Sequence, residues 1–432
     1  MSETNEINEI NGRFLDDSEM PDTHAMIDRI INVKFTRRVT DKKGEPIVGG
    51  KEETFVIRSD YEVVYTTGGE GYYFRKCYVK PSLKLKYTQL SNTTPIQIML
   101  EVHNLHAFSY EQDSTAEFSL ANFPITDIEI HFGYLPQFPK FDDPTKGYTL
   151  QDYYDMTGET DVSVIKANVF AVYPIKVPPD SITQFNAIVG AMTTGFVYKG
   201  NEVNEQTVYD VEGEKSIMKN IFFECITRRF VRYSGAKLDT TEGVLSVKDA
   251  NAYGVKVFMS DYVKNGHPEY PERYNPQPAE DGGKEKKITI LQSKKITRAF
   301  ENIRDAGFPT LRFLPCFDGN YIAYDIDEAR APSALSNSED IQRLLPKSTR
   351  IPAVYSMTFG ATRTIKCPFF KLLYPLQEIT FQSKYNLSTV IGYFYQPGIG
   401  EDKFYCIRCE VEFATVEDVN TMTLVNVDGE NK

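Results

Sequence analysis

Cys406 and Cys409 stand in a Cys-x-x-Cys spacing, which is half of a structural zinc ligand set. No second pair lies near them, and on a strand residues three apart face opposite sides, so these thiols cannot chelate together. His103 and His106 are three apart, with His131 further on. Three imidazoles can hold zinc, but His103 falls at the end of a strand pattern and spacing places no acidic helper beside it. Carboxylates crowd residues 152–161 and 318–327, the side chains of glycosidic acid–base cleavage, in loop-like text without a recognisable frame. A Gly-x-Ser-x-Gly elbow, a Gly-rich phosphate loop ending in Lys-Ser/Thr and a His-Glu-x-x-His helix are absent. Gly68-Gly69-Glu70-Gly71 links two strand-like runs and reads as a hairpin turn. The expectation is a protein with no catalytic residue, no metal ligand and no cofactor site.

The 432 residues carry 41% hydrophobic and 25% charged side chains, an ordinary globular balance, with 28 Phe, 27 Tyr and no Trp. Net charge is −12, and half of it sits in the first 24 residues, where seven acids face Arg13 alone. That segment reads as a solvated arm or as one that orders on a partner. An acidic chain is a poor ligand for nucleic acid and for anionic membranes, so neither stable nucleic-acid binding nor membrane insertion is expected. No run approaches 18 apolar residues and nothing in the first residues reads as a secretory signal, so the six dispersed cysteines are expected to be reduced.

The elements that would position any site are mainly strands. Leu83, Leu85 and Tyr87 alternate with Lys84 and Lys86, and Ile96, Ile98, Leu100 and Val102 with Gln97, Met99, Glu101 and His103. Ile128, Ile130 and Phe132 repeat the pattern, as do 162–177 and 182–189. Period two marks half-buried antiparallel strands. Lys80, Lys84 and Lys86 form a basic row, either a solvated sheet face or a contact for an acidic neighbouring chain. Ile217, Ile221 and Cys225 recur at helical spacing within 216–230. Ile296, Phe300 and Ile303 do so within 294–306, with Ser293 as N-cap and Gly307 as the left-handed C-terminal residue. Between these helices, residues 264–287 hold four prolines and a Gly-Gly pair; the stretch reads as an insertion outside helix and sheet, or as a clamp onto a neighbouring subunit.

The fold class is therefore mainly β with an α+β middle: two antiparallel β-barrel, tube-like domains linked by α+β segments. Residues 1–55 form the acidic arm and first strands, 56–200 the first barrel, 201–345 the α+β part, 346–425 a second, smaller barrel and 426–432 a tail.

A strand at 96–102 runs into Asn104-Leu105, a strand at 128–132 ends in Gly133-Tyr134, and strands at 164–172 and 182–189 follow. This order resembles the first barrel of tail-hub (baseplate hub) proteins of long-tailed bacteriophages and related contractile injection machines. In that family an apolar strand commonly runs into Asn-Leu and a later strand ends in Gly-Tyr. The similarity in feature order covers about residues 75–420. The chain departs from many hubs in its acidic N-terminal segment, its Pro-rich loop and the lack of a C-terminal spike or peptidase domain; the last counts against lytic activity. The resemblance implies a homotrimer whose six barrels ring a DNA channel and adapt a hexameric tail tube to a three-fold tip or spike. Its neighbours would be the tail tube protein, a tip or spike protein and the tape-measure protein, in a virion assembled from chains made in the host cytoplasm. An acidic lumen would repel phosphate. Asn104, Leu105, Gly133 and Tyr134 would be fold determinants, with Gly133 in a turn conformation that other residues resist. The alternative is another tail-tip, collar or receptor-binding virion protein that contacts host-surface carbohydrate through aromatics such as Tyr153, Tyr154, Tyr270 and Tyr274.

Overall fold

Alternating apolar and polar residues make strands that can bury one face only, and the protein spends most of them on one large sheet. The computed structural model describes residues 28–38, 52–65, 72–76, 81–90, 94–104, 125–134, 162–178, 180–189, 196–198, 206–210, 217–227, 229–232, 255–274, 287–328, 341, 348–351, 356–358, 362–375, 378–381, 389–392, 405–416 and 420–427. Its strands are β1 (Arg29–Arg38), β2 (Glu52–Arg58), β3 (Tyr61–Tyr65), β4 (Tyr72–Lys76), β5 (Leu83–Leu90), β6 (Ile96–His103), β7 (Ile125–Tyr134), β8 (Ser163–Val177), β9 (Asp180–Val189), β10 (Phe196–Tyr198), β11 (Gln206–Asp210) and β12 (Phe230–Arg232). They continue as β13 (Val257–Met259), β14 (Lys287–Leu291), β15 (Leu311–Pro315), β16 (Tyr321–Asp325), β17 (Ser348–Ile351), β18 (Ser356–Thr358), β19 (Thr362–Cys367), β20 (Glu378–Phe381), β21 (Thr389–Gly392), β22 (Tyr405–Ala414) and β23 (Asn420–Val427). The helices are α1 (Ile217–Phe222), α2 (Asp261–Asn265) and α3 (Ile296–Asp305).

Eleven strands form the main sheet, in the order β18-β19-β23-β22-β5-β6-β9-β8-β7-β1-β2, and every ladder in it is antiparallel. Period two is realised in β5, where Leu83, Leu85 and Tyr87 are buried while Lys84 and Lys86 lie on the other face. The two β regions that the sequence separates are joined here. β22 pairs with β5 from Arg408↔Leu90 to Ala414↔Lys84. Ile365, Cys409, Val411, Phe413 and Leu424 belong to the same buried cluster as Phe35, Leu85, Ile130 and Phe185. β23 runs through Val427, beyond the expected boundary at 425.

This sheet is rolled. β7 and β22 are five strand steps apart in the order, about 24 Å along a flat sheet at ~4.8 Å per step. Yet the rings of Phe132 and Phe413 are 5.7 Å apart, and those of Tyr134 and Phe413 5.9 Å. The ladders also set Phe132 opposite Ser163, whereas Phe413, through Leu85, Leu100 and Phe185, stands level with Val172. Ser163 and Val172 lie far apart along β8, so the sheet curls with a stagger, the relation that tilts strands in a barrel.

The α+β middle packs on this roll through the β13-β16-β15 sheet, whose central strand β16 is buried along its whole length. Leu314, Ile322 and Tyr324 join the core of the large sheet, while Leu311, Phe313, Tyr321 and Ala323 join the cluster beneath α1 and α3. The helix expected over 216–230 ends as α1 at Phe222 and continues as a π turn, Phe223–Thr227, that keeps Cys225 and Ile226 buried. α3 begins two residues later than expected. Lys295 stands at its N-cap position, and Ser293 instead accepts a hydrogen bond from the Lys295 N–H (3.2 Å). Gly307 follows the helix at φ +135°, a backbone that side chains with a Cβ resist.

The stretch 264–287 is not wholly an insertion. Its described part, 264–274, carries the end of α2, Gly266 at φ 97°, and a 3₁₀ turn, Pro271–Arg273, that opens on proline. Proline is tolerated at that first position because its missing N–H has no partner there anyway. The remaining residues, 275–286, lie outside the described residues.

Candidate functional site

Of the four residues that the tail-hub resemblance marks, three lie within the described residues. Asn104 has φ 51°, the left-handed region that Asn tolerates better than most. It closes the β6–β9 ladder: its N–H donates to the Ser181 carbonyl (2.7 Å), and its Oδ1 accepts from the Ser181 N–H (3.1 Å). Gly133 lies within β7 rather than in a turn, paired with Ile30 at φ 152°. Tyr134 is buried, and its hydroxyl donates to the Phe369 carbonyl, tying the N-terminal β region to the segment after β19. Leu105 lies outside the described residues. The three do not converge on one spot; Asn104 finishes β6 against β9, and Gly133 and Tyr134 finish β7 against β1. Asn104→Ala is expected to lower stability by about 1–2 kcal/mol, from the lost Ser181 bond and the left-handed backbone, and Asn104→Gly by less; denaturant midpoints of the two variants check it.

Among the described residues, a polar cluster forms that spacing did not assemble. His267, Asp325 and Asp327 bring potential ligand atoms within 4.8 Å of one another. Asp325 ends β16, and the turn behind it supplies Asp327 and Glu328; His267 and Arg273 come from the segment after α2. Asp325 is fully buried and accepts from Arg273 Nη1 (3.2 Å), the Tyr274 hydroxyl (2.6 Å) and the Asp327 N–H (2.8 Å). Arg273 Nη1 also donates to Asp327 (2.6 Å) while its guanidinium lies 4.3 Å over the Tyr270 ring. Burial, together with the bond to Asp325, raises the Tyr274 phenol above its ordinary range.

These residues do not fit a metal ion. His267 Nδ1 accepts the backbone N–H groups of Glu269 and Tyr270, both at 3.1 Å, so its lone pair is taken. The ring proton therefore sits on Nε2, which faces Asp327 Oδ2 at 3.4 Å, and neither nitrogen offers a free lone pair. The guanidinium of Arg273 already stands between the two aspartates where a cation would. The cluster is a built-in ion network.

No family model and no curated protein matches the chain. It is similar to tail proteins and a secretion-system component of known structure. One is the E. coli c3393 protein, a component of the type VI secretion system described as similar to T4 bacteriophage tail proteins gp27 and gp5, at 9% identity and TM-score 0.39, covering 86% of this chain and 77% of that one. Another is a tail protein from Neisseria meningitidis, at 10% identity and TM-score 0.35, covering 92% of this chain and 97% of that one. A third is the 43 kDa tail protein of a Shewanella oneidensis prophage, at 8% identity and TM-score 0.35, covering 85% and 97% respectively.

Several other described side chains with chemical potential are engaged within the chain, whereas the Nε2 atom of His103, at the end of β6, is buried with no hydrogen-bond partner among the described residues. His131 Nε2 lies 2.8 Å from Glu129, and Lys166 lies 3.6 Å from the same carboxylate. Burial pushes Glu129 upward, but the His131 bond and the Lys166 charge outweigh it and hold the carboxyl at about 2. His106 lies outside the described residues. The basic row finds its acid inside the chain: Glu412 on β22 takes both Lys84 (3.1 Å) and Lys86 (2.9 Å), while Lys80 lies outside the described residues. Cys409 is buried, and the register of β22 shifts between Cys406 and Arg408. Tyr274, an aromatic offered for carbohydrate, is buried and stacked on Phe308; Tyr270 is 44% exposed. Among the described residues no helix is long and apolar enough to cross a membrane.

Proposed function

We propose that this protein is a structural, non-enzymatic component of a tail tip: a trimeric hub that adapts a hexameric tail tube to a three-fold tip or spike and encloses the DNA channel. The observation that carries the reading is the staggered roll of an antiparallel sheet that takes in both β regions, with the residues of the hub-like signature, Asn104 and Gly133-Tyr134, at its ladder ends. A sheet of this kind offers a stiff wall rather than a reactive cleft. The ion network supports the same reading, because its carboxylates, guanidinium and imidazole engage one another. In the virion its neighbours are the tube, tip or spike and tape-measure proteins.

Native mass spectrometry with negative-stain imaging of the full chain tests this. The expected result is a particle of three times 49.3 kDa with a central pore. A monomer without a pore at micromolar concentration would overturn it. Glycan-array binding by that monomer would favour the receptor-binding alternative, which has lost Tyr274 to burial but keeps Tyr270.

A further inference from the structure

We propose that residues 260–274 form a strap whose grip on the β15–β16 hairpin is set by the protonation of Glu328. The inference is independent of the hub reading. The strap is fastened mainly through carboxylates on one short turn. Glu328 is fully buried and accepts from the Tyr262 N–H (3.2 Å), the Asp325 N–H (2.8 Å) and the Ser260 hydroxyl. Asp325 and Asp327 hold Arg273, and Asp325 also holds Tyr274. A backbone bond from the Ser260 N–H to the Ala323 carbonyl (2.9 Å) and the buried side chains of Val263 and Tyr274 complete the attachment.

Three carboxylates thus crowd one turn, and Arg273 pairs with two of them, Asp325 and Asp327, but not with Glu328. The groups around Glu328 are Asp325 and Asp327 on its own turn, Tyr262, His267, Glu269, Arg273 and Tyr274 on the strap, and Tyr324 and Arg312 on the hairpin. Ser260 Oγ can serve either state of the carboxyl. It donates to the carboxylate, or it accepts from the acid by reversing the bond. What differs between the states is the buried charge. Burial, reinforced by Asp325 and outweighing the three hydrogen bonds, raises Glu328 to about 7.

The sign follows from linkage. When the strap lifts, Glu328 meets water and returns to an ordinary value of about 4.3. The closed strap therefore binds the proton more tightly than the open one. Closure is strongest below about 4.3, weakens as pH rises towards 7, and levels off above it. Between pH 5 and pH 8 the opening equilibrium should rise roughly fifty- to a hundred-fold.

Hydrogen exchange of the full chain, corrected for the intrinsic pH dependence of exchange, reads this directly. Protection of the Tyr262 and Val263 amides and of the peptide 261–274 should fall by that factor from pH 5 to pH 8, while β6 stays unchanged. Glu328→Gln should abolish the pH dependence. Where Glu328→Gln does not fold, Ser260→Ala serves: with one donor fewer, the midpoint should move to higher pH. A change in wild-type strap protection below about threefold, a Glu328→Gln variant that keeps the pH dependence, or a Ser260→Ala midpoint that does not move overturns the proposal.

Discussion

Phe132→Ala and Phe413→Ala should each lower stability by about 3–5 kcal/mol, and the double variant should lose less than the sum. The Phe132 ring stacks on Phe369 at 4.8 Å, meets Phe413 edge-on at 5.7 Å and stands 6.4 Å from Tyr87; Phe369 and Phe413 are 5.3 Å apart. Removing either ring leaves a cavity among the same neighbours, so the second removal costs less than the first. The expected coupling is about 0.5–3 kcal/mol. Five strand steps separate the two residues in the sheet order, and in an open sheet such a pair would add independently. Phe300, in the other core cluster, supplies the control: Phe132→Ala and Phe300→Ala should add within about 0.5 kcal/mol. Urea midpoints of the variants measure both cycles. Additivity between Phe132 and Phe413 would mean that the sheet is not rolled, and with the roll would go the main support for a tube-like wall.

The alternation that reveals a strand does not reveal its partner, and this divides what could be read from what could not. Leu83-Lys84-Leu85-Lys86-Tyr87 declares which side chains go inward, because a one-residue slip would expose every apolar group. It is silent about whether β5 pairs with a strand ten residues away or with β22, more than three hundred residues later. Two β regions therefore read as two bodies, and the lysine row as a surface awaiting a partner, when Glu412 was the partner. The tail-hub resemblance marked Asn104 and Gly133 as fold determinants, and both have positive φ, yet sequence placed Gly133 in a turn where the chain keeps it in a strand and gave no hint of the left-handed backbone at Asn104. The ion network escaped notice for a related reason. His267 and Arg273 lie more than fifty residues from Asp325, and proline-rich text argued for a solvated loop. No signal in the sequence pointed to a distant cation, because Arg330, two residues beyond Glu328, already offers Asp325, Asp327 and Glu328 a local counter-charge in the text.

Asp325→Ala should be among the most destabilising single changes in the α+β region, at about 3–5 kcal/mol. It takes the acceptor from the Tyr274 hydroxyl, from one arm of the Arg273 contact and from the Asp327 N–H, in a place water does not reach. Asp325→Asn should cost less, about 2 kcal/mol, because one oxygen still accepts while the new NH₂ faces donors. Tyr274→Phe, which removes only the hydroxyl, should cost about 1 kcal/mol. The order of the three separates an ion network from a metal centre. If Arg273 is the resident cation, millimolar Zn²⁺ or Ca²⁺ should leave the melting temperature of the wild type unchanged, since His267 has no lone pair to give and the aspartates are already engaged. A metal site behaves otherwise: the melting temperature climbs with the concentration of the ion, and Asp325→Ala abolishes the climb. A rising melting temperature would show that the imidazole turns to free a nitrogen and that Arg273 gives way. The geometry opposes this, because two backbone N–H groups would lose their acceptor and a guanidinium its pair of carboxylates in one step.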